Sequence, residues 1–165
     1  MRFPDDLTIL AAGENDAARL SKIIRSSFAD VAVRFGLTPQ NCPKHPSNCT
    51  REWIEKDLVR GVQYFILSAA EKDMGCVGVE RASATTCYME RLAVLPEYRG
   101  KGCGTRLARH AMERAQKLGV SCVGIGIIAA DQGLRRFYES LGFSSGGTKT
   151  FDHLPFTVAY MRVAV

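Results

Sequence analysis

The chain has 165 residues, 46% of them hydrophobic and 24% charged, which is enough for one domain with a core of its own. Its net charge of +5 favours anionic partners without naming one. The start MRFPDDLTIL has two acids and no long apolar run, and the longest apolar stretch, Val123 to Ala130, is too short to span a bilayer. The expectation is a cytoplasmic protein with no membrane partner.

Leu7 to Gly13 reads as a first strand. The helix after it closes at Gly36, its apolar residues Ala17, Leu20, Ile23, Ile24 and Phe28 recurring at helical spacing. The stretch from Leu37 to Asn48 has prolines and no periodicity, so it is a loop. Thr50 can cap a short second helix ending at Gly61. Two strand-like runs, VQYFILSAA and GCVGVERA, are separated by the polar EKDM and predict a hairpin. A further strand, Cys87 to Leu95, is stopped by Pro96.

A third helix is predicted from Cys103 to Leu118, with Leu107, Ala108, Ala111, Met112, Ala115 and Leu118 as its buried stripe. VSCVGIGIIA reads as a central strand, apolar on both faces. Asp131 caps a fourth helix closed by Gly142, whose stripe is Leu134, Phe137, Tyr138 and Leu141. Two strand runs, FSSGGTKTF and FTVAYMRVAV, end the chain. The order βααβββαβαββ implies one mixed α/β domain over residues 1–165.

Six cysteines raise the question of disulfides. Cys76, Cys87 and Cys122 sit in strand-like apolar runs, and without an export signal free thiols are the better reading. Cys42, His45 and Cys49 lie in NCPKHPSNCT, but three candidates at these spacings do not make a structural zinc site, and none is expected. A lone histidine in such a loop is more often a surface residue than a substrate contact.

The stretch RGKGCGTRL (99–107) stands out. Gly100, Gly102 and Gly104 alternate just where a strand hands over to a helix, and Arg99, Lys101 and Arg106 surround them. A helix start carries unpaired N–H groups and a partial positive charge, and ordinarily attracts acids. None is present, so an outside anion is implied, with the glycines letting a phosphate approach the backbone. The patterns GxxxxGK[ST] and GxGxxG both fail on spacing.

The pattern that fits is [RQ]-x-x-G-x-[GA], met by Arg99, Gly102 and Gly104. With ERLAVLPEY before it and RRFYESLGF after it, the segment from Val77 to Phe143 resembles the GNAT superfamily of N-acetyltransferases. The resemblance implies a mixed, mostly antiparallel sheet with strands 4 and 5 splayed apart, flanked by four helices. It implies acetyl-coenzyme A (acetyl-CoA) as co-substrate, its pantetheine arm on Leu92, Ala93 and Val94. The pyrophosphate would rest on Arg99, Gly100, Lys101, Gly102, Cys103, Gly104 and Thr105. Family members often carry Asn where this chain has Asp131, which reads first as a helix cap.

Acetyl transfer to an amine poses two proton problems. An alkyl amine is neutral on the order of one part in a thousand at pH 7, worth about 4 kcal/mol, and the departing thiolate gains from a proton donor. The resemblance puts Tyr138 near the cofactor sulfur as the acid; a core tyrosine bonded to a carbonyl is the other reading. Glu90 is the candidate base. Strand alternation places it with Leu92 and Val94, and partial burial would raise its pKa. A solvated Glu paired with Arg is the alternative, with Tyr88 or water as fallback base.

The acceptor is a primary amine of unidentified parentage, attacking directly in a ternary complex. The resemblance brings His45, Asp152 and His153 towards it, whereas Trp53, Phe65 and Phe156 read as core. A CoA-binding sensor without turnover is the alternative. A nucleic-acid partner is not expected, because the basic face of Arg106, Arg109, Arg114 and Lys117 has no interleaved aromatics. The resemblance also leaves a homodimer open.

Overall fold

The computed structural model describes residues 6–165; the first half of the MRFPDDLTIL segment lies outside them. Among the described residues, seven strands form one sheet in the order β1-β2-β3-β4-β5-β7-β6. The strands are β1 (Thr8–Ala12), β2 (Gln63–Ala69), β3 (Lys72–Arg81), β4 (Thr86–Val94), β5 (Cys122–Ile128), β6 (Ser144–Thr150) and β7 (Thr157–Ala164). The helices are α1 (Ala17–Arg34), α2 (Arg51–Arg60), α3 (Cys103–Lys117) and α4 (Gln132–Ser140). The element order is the one the hydrophobic periodicity predicts.

The two sheet faces carry separate cores. Leu20, Ile23 and Ile24 of α1 and Ile54 of α2 pack against Tyr64, Ile66, Cys76 and Ala93 on one face. Leu107, Ala108, Ala111 and Ala115 of α3, with Tyr138 of α4, pack on the other against Val77, Val79, Val123 and Ile125. Helices α1, α3 and α4 therefore pack on the stripes their sequence spacing specifies. All six cysteines are free thiols.

The β2–β3 hairpin departs from the sequence reading. Its turn is Ala70–Glu71 alone, with φ of 48° and 63°, and Lys72 already belongs to β3. Two positive φ values give the turn a twist that matches the strands it joins, so the polar residues after it can pair.

Two features of β4 open the sheet. Its parallel pairing with β5 runs only from Thr86↔Cys122 to Tyr88↔Gly124. Its pairing with β3 then shifts register, Gly78 opposing Glu90 and Cys76 opposing Ala93, so that Arg91 and Leu92 stand against Val77 alone. That is a β-bulge, and Arg91 takes φ of 50° within it. The rest of β4 runs unpaired with β5 and leaves a wedge between the two strands.

Candidate acetyl-transfer site

The wedge continues into a cavity of about 730 Å3 between α1, β4, β5 and the start of α4. At one end the chain leaves β4 through a single turn at Pro96–Tyr98 and enters α3 at Gly102. Gly100 and Gly102 hold φ of 72° and 88°, a conformation that side chains other than glycine's adopt with strain. A Cβ on either would meet no protein atom within 4 Å. The glycines are thus required by backbone conformation, and the space over them is open. No side chain caps α3 and no acid lies in its first turn, so its N–H groups stay available to an anion.

The basic residues of this loop do not all point at that space. Arg99 donates to the Val94 carbonyl at 3.1 Å, to the Ser27 carbonyl at 2.5 Å and to both carboxylate oxygens of Asp30 on α1. Its guanidinium holds the Asp30 carboxyl below the usual range. Lys101 donates to the Glu97 carbonyl at 3.0 Å and is not among the lining residues. Leu92, Ala93, Val94, Arg99, Gly100, Gly102, Cys103, Gly104 and Thr105 do line the cavity.

Asp131 is the cap its sequence position suggests: its Oδ1 accepts the Leu134 N–H at 3.1 Å. Its other oxygen accepts from Arg34 at 2.9 Å, so the acid beside the cavity is matched by a cation from the end of α1.

Tyr138 lines the cavity, is only 5% exposed, and sits edge-on to Phe137 and Phe143. Burial pushes its phenol above the usual tyrosine range, so it holds its proton at neutral pH. Among the described residues its hydroxyl has no protein hydrogen-bond partner, yet it is not sealed away from open space as His110 Nε2 and Arg135 Nε are. Tyr138 is thus a core residue, as one of the two readings had it, but its hydroxyl is not held by a carbonyl among the described residues.

Glu90 requires a correction. Strand alternation put it on the face of Leu92 and Val94, but the bulge at Arg91 inverts the alternation. Leu92 and Val94 pack with the α3–α4 core, whereas Glu90 turns to the α2 face, 3.7 Å from Arg60. It is not among the cavity-lining residues. Burial and a hydrogen bond with Glu80 push its carboxyl up to about 8. The Glu80 carboxyl is lowered by its bonds with Glu90 and Arg60. Tyr88 shares the Glu90 face, its ring lying over Gly124, and is 48% exposed.

Arg91, absent from the sequence-based candidates, lines the cavity. Its Nη1 donates to Asp57, which is 3% exposed, and to the Tyr64 hydroxyl at 2.8 Å. The Tyr64 hydroxyl in turn donates to Asp57 at 2.6 Å. A legible signal existed: Glu90 and Arg91 are adjacent charges inside a strand, and regular alternation would send one of them into the core.

His45 is a second departure, being 6% exposed rather than on the surface, and it lines the cavity with Phe28, Pro46 and Phe156. Asp152 and His153 are exposed and stand outside the lining, while Phe65 is core as expected. Among the described residues no group of three or more His, Cys, Asp or Glu is placed to hold a metal ion. No helix there is long and apolar enough to cross a membrane.

Residues 31–143 match the sequence model of the acetyltransferase (GNAT) family. The chain belongs to the GNAT family. An uncharacterized N-acetyltransferase of Schizosaccharomyces pombe is 34% identical over 92 residues, which cover 54% of this GNAT chain and 55% of the relative. Another from Mycobacterium tuberculosis is 33% identical over 63 residues, 38% of this chain and 40% of its own. The chain thus spans about half the length, or less, of the curated relatives it matches.

Solved GNAT structures share the fold over almost the whole length. The PaiA N-acetyltransferase of Thermoplasma acidophilum, solved with coenzyme A, superposes with a TM-score of 0.78 at 17% identity, covering 96% of this chain and 99% of that one. The ribosomal-protein-S18-alanine N-acetyltransferase of Escherichia coli gives 0.76 at 17% identity, covering 96% and 94%.

Proposed function

We propose that this protein is an N-acetyltransferase that moves the acetyl group of acetyl-CoA to a primary amine. The observation that carries the reading is the cavity. It joins an uncapped, glycine-opened helix start to a wedge between two strands, and it has an unpartnered tyrosine hydroxyl in its wall. Such a shape suits a long ligand with a polyanionic head and an acyl tail. Membership of the GNAT family, and relatives named as N-acetyltransferases, support it.

Acetyl-CoA would supply an activated thioester. The first-turn amides of α3, from Cys103 to Thr105, would receive its pyrophosphate, with Gly100 and Gly102 keeping the approach free of side chains. Leu92, Ala93 and Val94, freed from β5, would present backbone groups to the pantetheine arm. Arg99, itself in the cavity wall, fastens the loop to α1 through Asp30.

In the transfer, the amine nitrogen bonds to the acetyl carbon, the carbon–sulfur bond breaks, and the sulfur leaves with the electron pair. Tyr138 donates its phenolic proton, or a hydrogen bond, to that sulfur. Glu90 takes the proton of the amine through water, since its carboxyl stands behind the bulge rather than in the cavity. A carboxyl with its pKa near 8 is a far stronger base once ionised than an ordinary glutamate. The pairing of Asp131 with Arg34 offsets the repulsion that an acid there would exert on a polyanionic cofactor.

The test is thermal unfolding with acetyl-CoA against ATP and NAD. A ligand at 100 times its dissociation constant adds about 2.7 kcal/mol of stability, enough to raise the midpoint visibly. A rise specific to acetyl-CoA is expected. Equal rises with all three would reduce the loop to a general anion site.

A further inference from the structure

At the end of the cavity formed by the α1–α2 loop, two side chains have hydrogen-bond donors left over. His45 is the first. Its Nδ1 accepts the Ser47 backbone N–H at 3.3 Å and lies 2.8 Å from the Ser47 hydroxyl. Accepting from a backbone N–H means that Nδ1 carries no hydrogen, so the ring proton sits on Nε2. Burial lowers the imidazole pKa and keeps the ring neutral. Among the described residues Nε2 has no partner, and it is not among the polar atoms sealed from open space.

Arg91 is the second. Asp57 and Tyr64 both bind Nη1, which leaves Nε and Nη2 without a partner among the described residues. Those two N–H groups form the edge of a guanidinium that matches a carboxylate with two parallel bonds. Neither atom is sealed off. The Asp57 contact fixes the guanidinium in place without occupying this edge, while Trp53 lies 5.7 Å beneath it.

The other charges lining the cavity are already matched, Asp30 by Arg99 and Asp131 by Arg34. Arg91 is the lining charge whose partner lies behind it, in the α2 core. The acceptor end therefore offers a positioned cation and a neutral N–H, while the two carboxylates of the lining, Asp30 and Asp131, are each already paired with an arginine.

Resting on the acetyltransferase reading, we propose that the acceptor is a small amino acid: an amine carrying a carboxylate that Arg91 and His45 bind, with Phe28, Pro46 and Phe156 around its carbon skeleton. The arrangement also has a chemical benefit. A guanidinium near the bound ammonium disfavours the protonated amine, which assists the deprotonation that attack requires.

The experiment measures free thiol release from acetyl-CoA with the full chain and matched acceptors. These are α-amino acids with apolar and polar side chains, β-alanine and γ-aminobutyrate, each beside its carboxamide and its decarboxylated amine. The amino acids should show kcat/KM about 10- to 100-fold above their decarboxylated partners, the range expected for a charge-assisted contact. The carboxamides should fall between. In His45→Phe that preference should shrink, chiefly through a higher acceptor KM, whereas His45→Gln, which keeps a donor, should retain part of it.

Acetyl-CoA thermal shifts on each variant separate the two layers of the argument. Equal or better use of decarboxylated amines overturns the inference, and so does no turnover of any amino acid by protein that still binds acetyl-CoA. Absence of an acetyl-CoA shift in the unaltered protein would instead overturn the reading on which it rests.

Discussion

Arg91 stands at φ 50° in the β4 bulge and donates to Asp57, a carboxylate that α2 buries to 3% exposure. A side chain on a strained backbone is thereby tied to the helix covering it. The same residue faces the cavity, so the contact links the opening of the sheet to the site. Removing Asp57 leaves a largely buried guanidinium without its counter-ion. Asp57→Ala should lose about 3–5 kcal/mol in chemical denaturation. Asp57→Asn keeps an oxygen for the hydrogen bonds and should lose less.

Tyr138→Phe leaves the ring packing against Phe137 and Phe143 intact while removing the hydroxyl. Thiol release at saturating substrates should drop about 10²- to 10⁴-fold, with little change in the KM for acetyl-CoA. An unchanged rate would exclude Tyr138 as the proton donor.

The Glu90 carboxyl, raised to about 8 by burial and by Glu80, makes two pH predictions. Activity should rise with pH and level off above about 8, as the base form accumulates, and Glu90→Gln should remove that limb. Stability should run the other way. Between the ordinary carboxyl value of 4.5 and about 8, the folded protein keeps a proton that the unfolded chain has released. This contribution is therefore complete below 4.5 and fades as pH rises through 8. Urea denaturation of wild type and Glu90→Gln at pH 5 and pH 8.5 gives the comparison, and the wild type should lose more.

Gly102→Ala separates backbone strain from ligand contact. An alanine at φ 88° should destabilise the fold by about 1–2 kcal/mol. Its methyl would meet no protein atom within 4 Å, so any fall in acetyl-CoA affinity beyond that strain reflects a ligand lying over the glycine. Calorimetric titration of the folded variant reads that second effect.

Local signals made the fold legible. The stripe Leu134, Phe137, Tyr138 and Leu141 has helical spacing, and Asp131 and Gly142 bound the helix it belongs to. The glycine-rich loop was legible because Gly100 and Gly102 are demanded by backbone conformation, which single residues can announce. What the sequence hid depends on contacts between distant segments. Glu90 lies on the face opposite Leu92 and Val94, against strand alternation, because one bulge shifts the alternation of everything after it. His45 looked like a surface residue because the loop that buries it against Phe28 has no periodicity. Arg91 carries no local signal of its role because its partners, Asp57 and Tyr64, lie 34 and 27 positions away.

The central claim is that the cavity holds acetyl-CoA by its pyrophosphate at α3 and by its pantetheine arm along β4. Calorimetric titration of the purified protein with acetyl-CoA, beside an acetyl thioester of pantetheine that lacks the phosphates, tests it most directly. One site per chain for acetyl-CoA, with binding at least 100-fold weaker once the phosphates are gone, is the expected result. Equal affinity for the two, or no heat with acetyl-CoA, would contradict it.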